Sequence, residues 1–195
     1  MLGAIKYNLT HLLDFNGRDA RQTFWYYVLF LVVLQFLVSM VAMIPIMVRV
    51  MGAVFEQAQA GASEEVVQAQ MQAMMSGMMG DILWLSVGMG VLVAALMLAA
   101  FVRRLHDSGR SGWWAALAVA GQAAGIVASI RVAELMRELM PMMSDPANVQ
   151  QVIARQQDFS VYSLAGWIAP AVVIGFGILR STDGPNRYGT EPVRF

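Results

Sequence analysis

The sequence predicts an all-α polytopic membrane protein: a four-helix transmembrane bundle with an interfacial helix at the N-terminus and helical extensions on the outer side. Three observations predict it. Of the 195 residues, 58% are hydrophobic and only 13% charged, about half the roughly 25% typical of a soluble domain. The apolar residues are grouped in four blocks, each close to the ~20 residues a spanning helix needs. The basic residues fall unevenly on the two sides of those blocks, although the formal net charge is zero. The chain reads as a single membrane domain, residues 1–195. It has no cysteine, which excludes disulfides, thiol nucleophiles and cysteine-ligated metals.

The N-terminal stretch places Leu2, Ile5, Leu9, Leu12 and Leu13 on one face. It predicts a helix lying on the inner leaflet and ending at the Asn16-Gly17 turn. The first apolar block begins only at Phe24 and is too long for a signal h-region, so it reads as a retained anchor. The predicted spans are 24–48, 82–102, 113–130 and 159–179. Aromatic residues sit at their edges, where amphipathic rings suit the headgroup boundary: Trp25, Tyr26, Tyr27, Trp84, Trp113, Trp114, Tyr162 and Trp167. The outer connections, 49–81 and 131–158, are too long for plain linkers. Ser63-Glu64-Glu65 resembles a helix start, and Met71, Met74, Met75 and Met78 follow at helical spacing. Leu135, Met136, Leu139 and Met140 form another face. Asp145-Pro146 supplies an N-cap and a first-position proline, and Val149, Val152 and Ile153 continue the pattern. The second, third and fourth spans are therefore expected to project outward as a helical collar. Pro170 is expected to kink the last span. Gly121 and Gly125 form a G-x-x-x-G spacing that permits close helix packing, within the bundle or between copies.

Orientation follows from lysine and arginine. Lys6, Arg18, Arg21, Arg103, Arg104, Arg110, Arg180, Arg187 and Arg194 fall on one side, and Arg49, Arg131, Arg137 and Arg155 on the other. Basic loops stay in the cytoplasm. Both termini and the 103–112 loop are placed inside, as an even number of spans requires.

Three polar clusters lie on that inner side. The first is Gly17-Arg18-Asp19-Ala20-Arg21-Gln22-Thr23-Phe24-Trp25, where Arg18, Arg21 and Trp25 have the spacing of one helix face. The second is Arg103-Arg104-Leu105-His106-Asp107 followed by Ser111-Gly112-Trp113-Trp114. The third is Gly184-Pro185-Asn186-Arg187-Tyr188-Gly189-Thr190-Glu191-Pro192. In this order, and at these membrane edges, they resemble the bacterial inner-membrane family called domain of unknown function (DUF) 805. That family's pattern is Gly-Arg-x-x-Arg-x-x-Phe/Tyr-Trp, then Arg-Arg-Leu-His-Asp with Ser-x-Trp-Trp, then Gly-x-Asn-Arg-Tyr/Phe-Gly-x-x-Pro. The resemblance covers the membrane domain, and the longer Met-rich outer segments depart from it. It implies a multi-pass protein of the inner (plasma) membrane and implies no activity.

The expected binding face comprises Arg18, Arg21, Trp25, Arg103, Arg104, His106, Asp107, Arg110, Trp113, Asn186, Arg187 and Tyr188. The arginines serve topology, anionic lipid or a protein partner. Guanidinium binds phosphate in a bidentate fork, and basic pockets at cytoplasmic helix ends suit anionic headgroups. The Ser108–Gly112 turn is expected to present free backbone N–H groups, which attract an anion. Asp107 is expected to pair with Arg103, Arg104 or Arg187. Adjacent helix residues do not face each other, so His106 and Asp107 form no dyad, and no catalytic residue, metal or cofactor is assigned. The methionines gather on the outer side, as packing residues or as a lipid-contacting collar; thioethers also bind Cu(I). No ionisable side chain lies within the spans, which argues against proton-coupled transport. The interior polar residues are Gln35, Ser39, Ser86, Gln122 and Ser129.

The function expected from the sequence is a non-enzymatic scaffold or accessory subunit. Its cytoplasmic arginine face would read membrane lipid, anionic in kind, or a membrane-protein partner, a second copy included. No nucleic acid is implied. The alternatives are a small transporter or lipid-handling protein, and a membrane enzyme acting on a phosphorylated lipid. A sealed bundle with no cavity would sink the first alternative.

Overall fold

A computed structural model describes residues 1–60, 64–142 and 146–192. Every regular element among them is helical: α1 (Leu2–Thr10), α2 (Arg21–Ala60), α3 (Glu64–Asp107), α4 (Ala115–Met142), α5 (Val149–Ala165) and α6 (Ile168–Gly177). Short 3-10 turns at Gly112–Trp114 and Pro146–Asn148 precede α4 and α5. Four stretches are long and apolar enough to cross a membrane: Arg21–Glu56, Ala69–Asp107, Gly112–Met142 and Val149–Gly177. The chain is a multi-pass membrane protein. Ser63 and Asp145, expected to cap helices, lie outside the described residues.

Helix α1 stops at Thr10, earlier than the Asn16-Gly17 turn expected from sequence. The His11 N–H turns back onto the carbonyls of Tyr7 and Asn8, and the Asp14 carboxylate accepts from the Asn16 N–H at 3.0 Å. Ala4 and Asn8 face the protein, whereas Leu2 and Leu13 are 79% and 89% exposed. Of the apolar face, Leu2 and Leu9 within α1 are exposed and Ile5 is half-buried.

A second correction concerns Arg18. Helix α2 starts at Arg21, so Arg18 precedes the helix and shares no face with Arg21 and Trp25. Residues 14–20 cross the end of α3 instead, where the Asp19 N–H donates to the Arg103 carbonyl at 3.1 Å.

Helices α2 and α3 have 40 and 44 residues. At a rise of about 1.5 Å per residue they are about 60 and 66 Å long, twice the ~30 Å hydrocarbon layer. The overrun expected of the later spans thus applies to the first as well. Beyond the bilayer length α2 and α3 are joined by the exposed Arg49–Asp81 pair at 2.7 Å.

The fourth span is two helices rather than one kinked helix. The chain breaks at Gly166–Trp167, between α5 and α6. Pro170 supplies the reason: it has no N–H, and its ring excludes the carbonyl four residues earlier, that of Gly166. The Trp167 N–H bonds Leu164 in a tightened turn, and the ladder resumes with the Ala171 N–H on Trp167 at 2.9 Å. The small-residue face of α4 seats this break. A Cβ on Gly121 would stand 2.9 Å from the Ala169 backbone nitrogen, and one on Gly125 would touch the Gly166 Cα at 3.5 Å. The G-x-x-x-G contact is therefore made inside the bundle.

The core is aromatic and sits toward the end where the N-terminal segment, the 103–112 loop and the C-terminal tail meet, here called the basal end. Phe24, Tyr27, Leu31, Phe101, Leu105 and Val173 are buried together. The Tyr27 hydroxyl donates to the Leu96 carbonyl at 3.1 Å, which satisfies a polar group that hydrocarbon could not.

Candidate functional site

Two features of the bundle bear on function: a buried polar knot at the basal end and an apolar cavity beside it. In the knot, Arg18, Asp19, Arg103, Arg104 and Asp107 are all 5% exposed or less. Asp107 sits at the end of α3 and takes a guanidinium on each oxygen. Arg18 approaches Oδ1 with Nη2 at 3.0 Å and Nε at 3.2 Å, and Arg104 Nη1 meets Oδ2. Arg104 was among the expected partners; Arg18 was not, and Arg103 and Arg187 do not pair with Asp107. Arg18 also donates to the tail carbonyls of Thr182 at 2.7 Å and Gly184 at 2.6 Å. Arg104 donates to the carbonyls of Gly177 and Leu179, groups that the end of α6 leaves without helical partners.

Arg103 binds the N-terminal segment. It donates to Asn8 Oδ1 at 2.6 Å and to the carbonyls of His11 and Asp14. Its Nε lies 3.3 Å from Asp19 Oδ2, an ion pair without hydrogen-bond alignment. Neither Asp19 oxygen nor Arg103 Nε has a hydrogen-bond partner among the described residues. Burial pushes the Asp19 carboxyl up to about 6, against the pull of Arg103. A polar pocket of about 290 Å³, bounded by Tyr7, Thr23 and the tail at Gly189–Pro192, opens onto Asp19.

His106, Asn186 and Tyr188 fasten the tail. The His106 ring stacks on Tyr188 with centroids 3.8 Å apart and planes at 6°, and its Nδ1 lies 3.3 Å from the Gly17 carbonyl oxygen. Asn186 Nδ2 donates to the His106 carbonyl at 2.9 Å. The Thr182 N–H and hydroxyl both donate to the Asp107 carbonyl, at 2.9 and 3.0 Å.

The turn expected to present free amides has most of them engaged. Gly109 adopts φ +72°, its N–H bonds the His106 carbonyl and the Arg110 N–H bonds Leu105. These are the two bonds of a Schellman ending for α3. The Trp113 N–H is taken by Ser111 Oγ and the Trp114 N–H by the Ser111 carbonyl. Of the turn amides expected to face an anion, those of Ser108, Gly109 and Arg110 are thus engaged within the chain.

Of the residues assigned to one binding face, the structure divides two groups. Arg18, Arg103, Arg104 and Asp107 are internal, while Arg21, Arg110, Trp113 and Arg187 are exposed. Arg187 covers the Tyr188 ring at 4.6 Å. Arg110 lies over Phe176 of α6 at 5.8 Å. Arg21 precedes Trp25 by one turn, and Trp25 packs against Gly177, where an added Cβ would come within 3.0 Å of its ring. Arg110 therefore lies at the basal end of α6, and Arg21 lies one turn before the tryptophan that packs there. Asp19, Asn8 and Thr182 were missed as knot residues. The signal for Asp19 was present, since it is an acid between two arginines in the first motif; nothing marked Asn8 or Thr182.

The cavity lies between α2, α3, α4 and α6 and has a volume of about 460 Å³, within the ~300–1,000 Å³ of small-ligand pockets. Leu31, Met97, Phe101, Pro170 and Val173 form its apolar wall. Val32, Val119 and Ile174 also line it and are each more than half exposed, so it opens on the flank that faces lipid. The bundle is not sealed.

The family model described as protein of unknown function (DUF805) matches residues 12–190, and the chain belongs to that family. The match takes in the five buried charges and the cavity, but not Asn8. No curated protein and no solved structure matches the chain.

Proposed function

We propose that this is a non-enzymatic lipid-binding component of the bacterial inner membrane, with both termini in the cytoplasm. The observation that carries the reading is the apolar cavity whose exposed lining residues lie on α2, α4 and α6. It accommodates the hydrocarbon of a membrane lipid. Arg21 and Arg110, beside the basal end of α6, meet the anionic cytoplasmic surface, where each basic residue contributes about 1 kcal/mol. This narrows the lipid-reading face to the arginines whose charge is not already spent inside the protein. Both Asp107 oxygens face guanidinium groups, and the His106 ring is held by Tyr188 and Gly17. A structural role accounts for both residues without chemistry.

Native mass spectrometry of the purified protein tests the reading. Ala94 lines the cavity, so Ala94→Trp fills it and is expected to strip most co-purified lipid. Arg21→Ala with Arg110→Ala is expected to lower the anionic share of that lipid while sparing the total. A folded Ala94→Trp protein that keeps the parent's lipid would overturn the proposal. Arg104→Ala is no probe of the surface, because Arg104 is buried in the knot.

A further inference from the structure

Apart from the indole of Trp25, the polar side chains in the cavity wall are two amides, Gln35 on α2 and Gln122 on α4. Both are half-buried, and neither hydrogen-bonds to any described residue. Gln122 reaches across to α3, where a Cβ on Gly90 would stand 2.8 Å from Nε2; the missing side chain of Gly90 makes room for the amide. Counted along the helices from Gly112 and Arg21 at about 1.5 Å per residue, the two amides lie roughly 15–21 Å from the basal end. That depth is near the middle of a hydrocarbon layer about 30 Å thick. Water is not available there to satisfy an amide, and an unpaired polar group in hydrocarbon is costly.

We propose that the ligand of this cavity is a long hydrocarbon bearing a hydrogen-bonding oxygen that sits at this depth, and that Gln35 and Gln122 recognise that oxygen. This rests on the reading of the cavity as a lipid site. The ligand class comprises isoprenoid quinones, long-chain alcohols and fatty acids. A glutamine amide offers both an N–H donor and a carbonyl acceptor, so it serves a carbonyl or a hydroxyl head alike. The tail of a phospholipid has nothing to offer either amide. A site built to hydrogen-bond a ligand oxygen also rejects the analogue that lacks it, because the site's own polar groups are then left unpaired.

The test compares ligands before it compares proteins. Protein exchanged into fresh detergent is titrated with an isoprenoid quinone, a long-chain primary alcohol, the matching fatty acid and the alkane of the same length, with occupancy read by native mass spectrometry. At least one oxygen-bearing ligand is expected to bind about five- to tenfold more tightly than the alkane, the net worth of one or two hydrogen bonds. Which of the three binds best distinguishes a carbonyl, a hydroxyl and a carboxyl head. In Gln35→Leu with Gln122→Leu the preference is expected to vanish while alkane binding persists. Equal binding of all four ligands by the unaltered protein overturns the inference and leaves the lipid site standing. Binding of none overturns the inference; if the purified protein also carries no co-purified lipid, the lipid site falls with it. The comparison on the unaltered protein needs no variant, so it stands even if the double substitution fails to fold.

Discussion

The two ends of the bundle use the same residue types to opposite effect. At the basal end Arg18, Arg104 and Asp107, with Arg103 and Asp19, are buried side by side. They join residues far apart in the chain, Arg18 to Asp107 and to Thr182 and Gly184. At the distal end Arg49–Asp81, Arg131–Glu134 and Arg155–Asp158 are ion pairs whose side chains are 46–67% exposed. Exposed pairs contribute about 0–1 kcal/mol, since solvent screens them and ordering two long side chains costs entropy. A buried pair is not a large net gain either, but breaking one strands a charge without solvent. The comparison teaches that the charges of this protein matter by location. The buried basal ones hold three segments in one arrangement, and the exposed pairs, the distal three and Arg180–Asp183 alike, tolerate change.

The largest expected effect comes from Asp107→Asn, which leaves Arg18 and Arg104 buried without a counter-charge. A loss of about 3–5 kcal/mol is expected, read as a fall in the thermal midpoint in detergent together with proteolytic release of the tail beyond Leu179. A variant as stable as the parent would break the comparison.

Asp19 gives a pH dependence. Its carboxyl is raised from the ordinary 3.8 to about 6, so the folded protein holds that proton more tightly than the unfolded chain. The stability contributed by this group is complete below about pH 3.8 and is lost as pH rises through about 6, a change of ~3 kcal/mol. The thermal midpoint is expected to decline over that window, and Asp19→Asn is expected to flatten the decline. An unchanged profile in the variant would assign the pH dependence elsewhere. The smallest effect belongs to Arg49→Ala, expected to cost no more than about 1 kcal/mol. A cost equal to that of Asp107→Asn would erase the distinction between the two ends.

Much of the architecture was legible in the sequence because hydropathy is a local property. The block from Phe24 to Val48 has no charge to interrupt it, and Met71, Met74, Met75 and Met78 announced that α3 would run on outward. The break in the fourth span was half legible. Pro170 marked it, but the position at Gly166–Trp167 follows from the carbonyl that the proline ring displaces, one turn earlier. The basic face was the least legible part. Nothing in Arg18-Asp19-Ala20-Arg21 says that Arg18 turns inward to Asp107 while Arg21, three residues on, stays exposed. Composition alone treats them as equals.

By itself the sequence determined the membrane class, the number of spans and the three motifs, since each depends on residue type and spacing along a helix. Only the tertiary structure decided which arginines are spent and which are free. It also decided that Gly121 and Gly125 pack against the α6 break, and that α2, α3, α4 and α6 leave a cavity between them with two unpaired amides. The physical reason is the same in each case. A buried ion pair, a close helix contact and a void are relations between segments far apart in the chain, 89 residues in the case of Arg18 and Asp107, and no local pattern carries them.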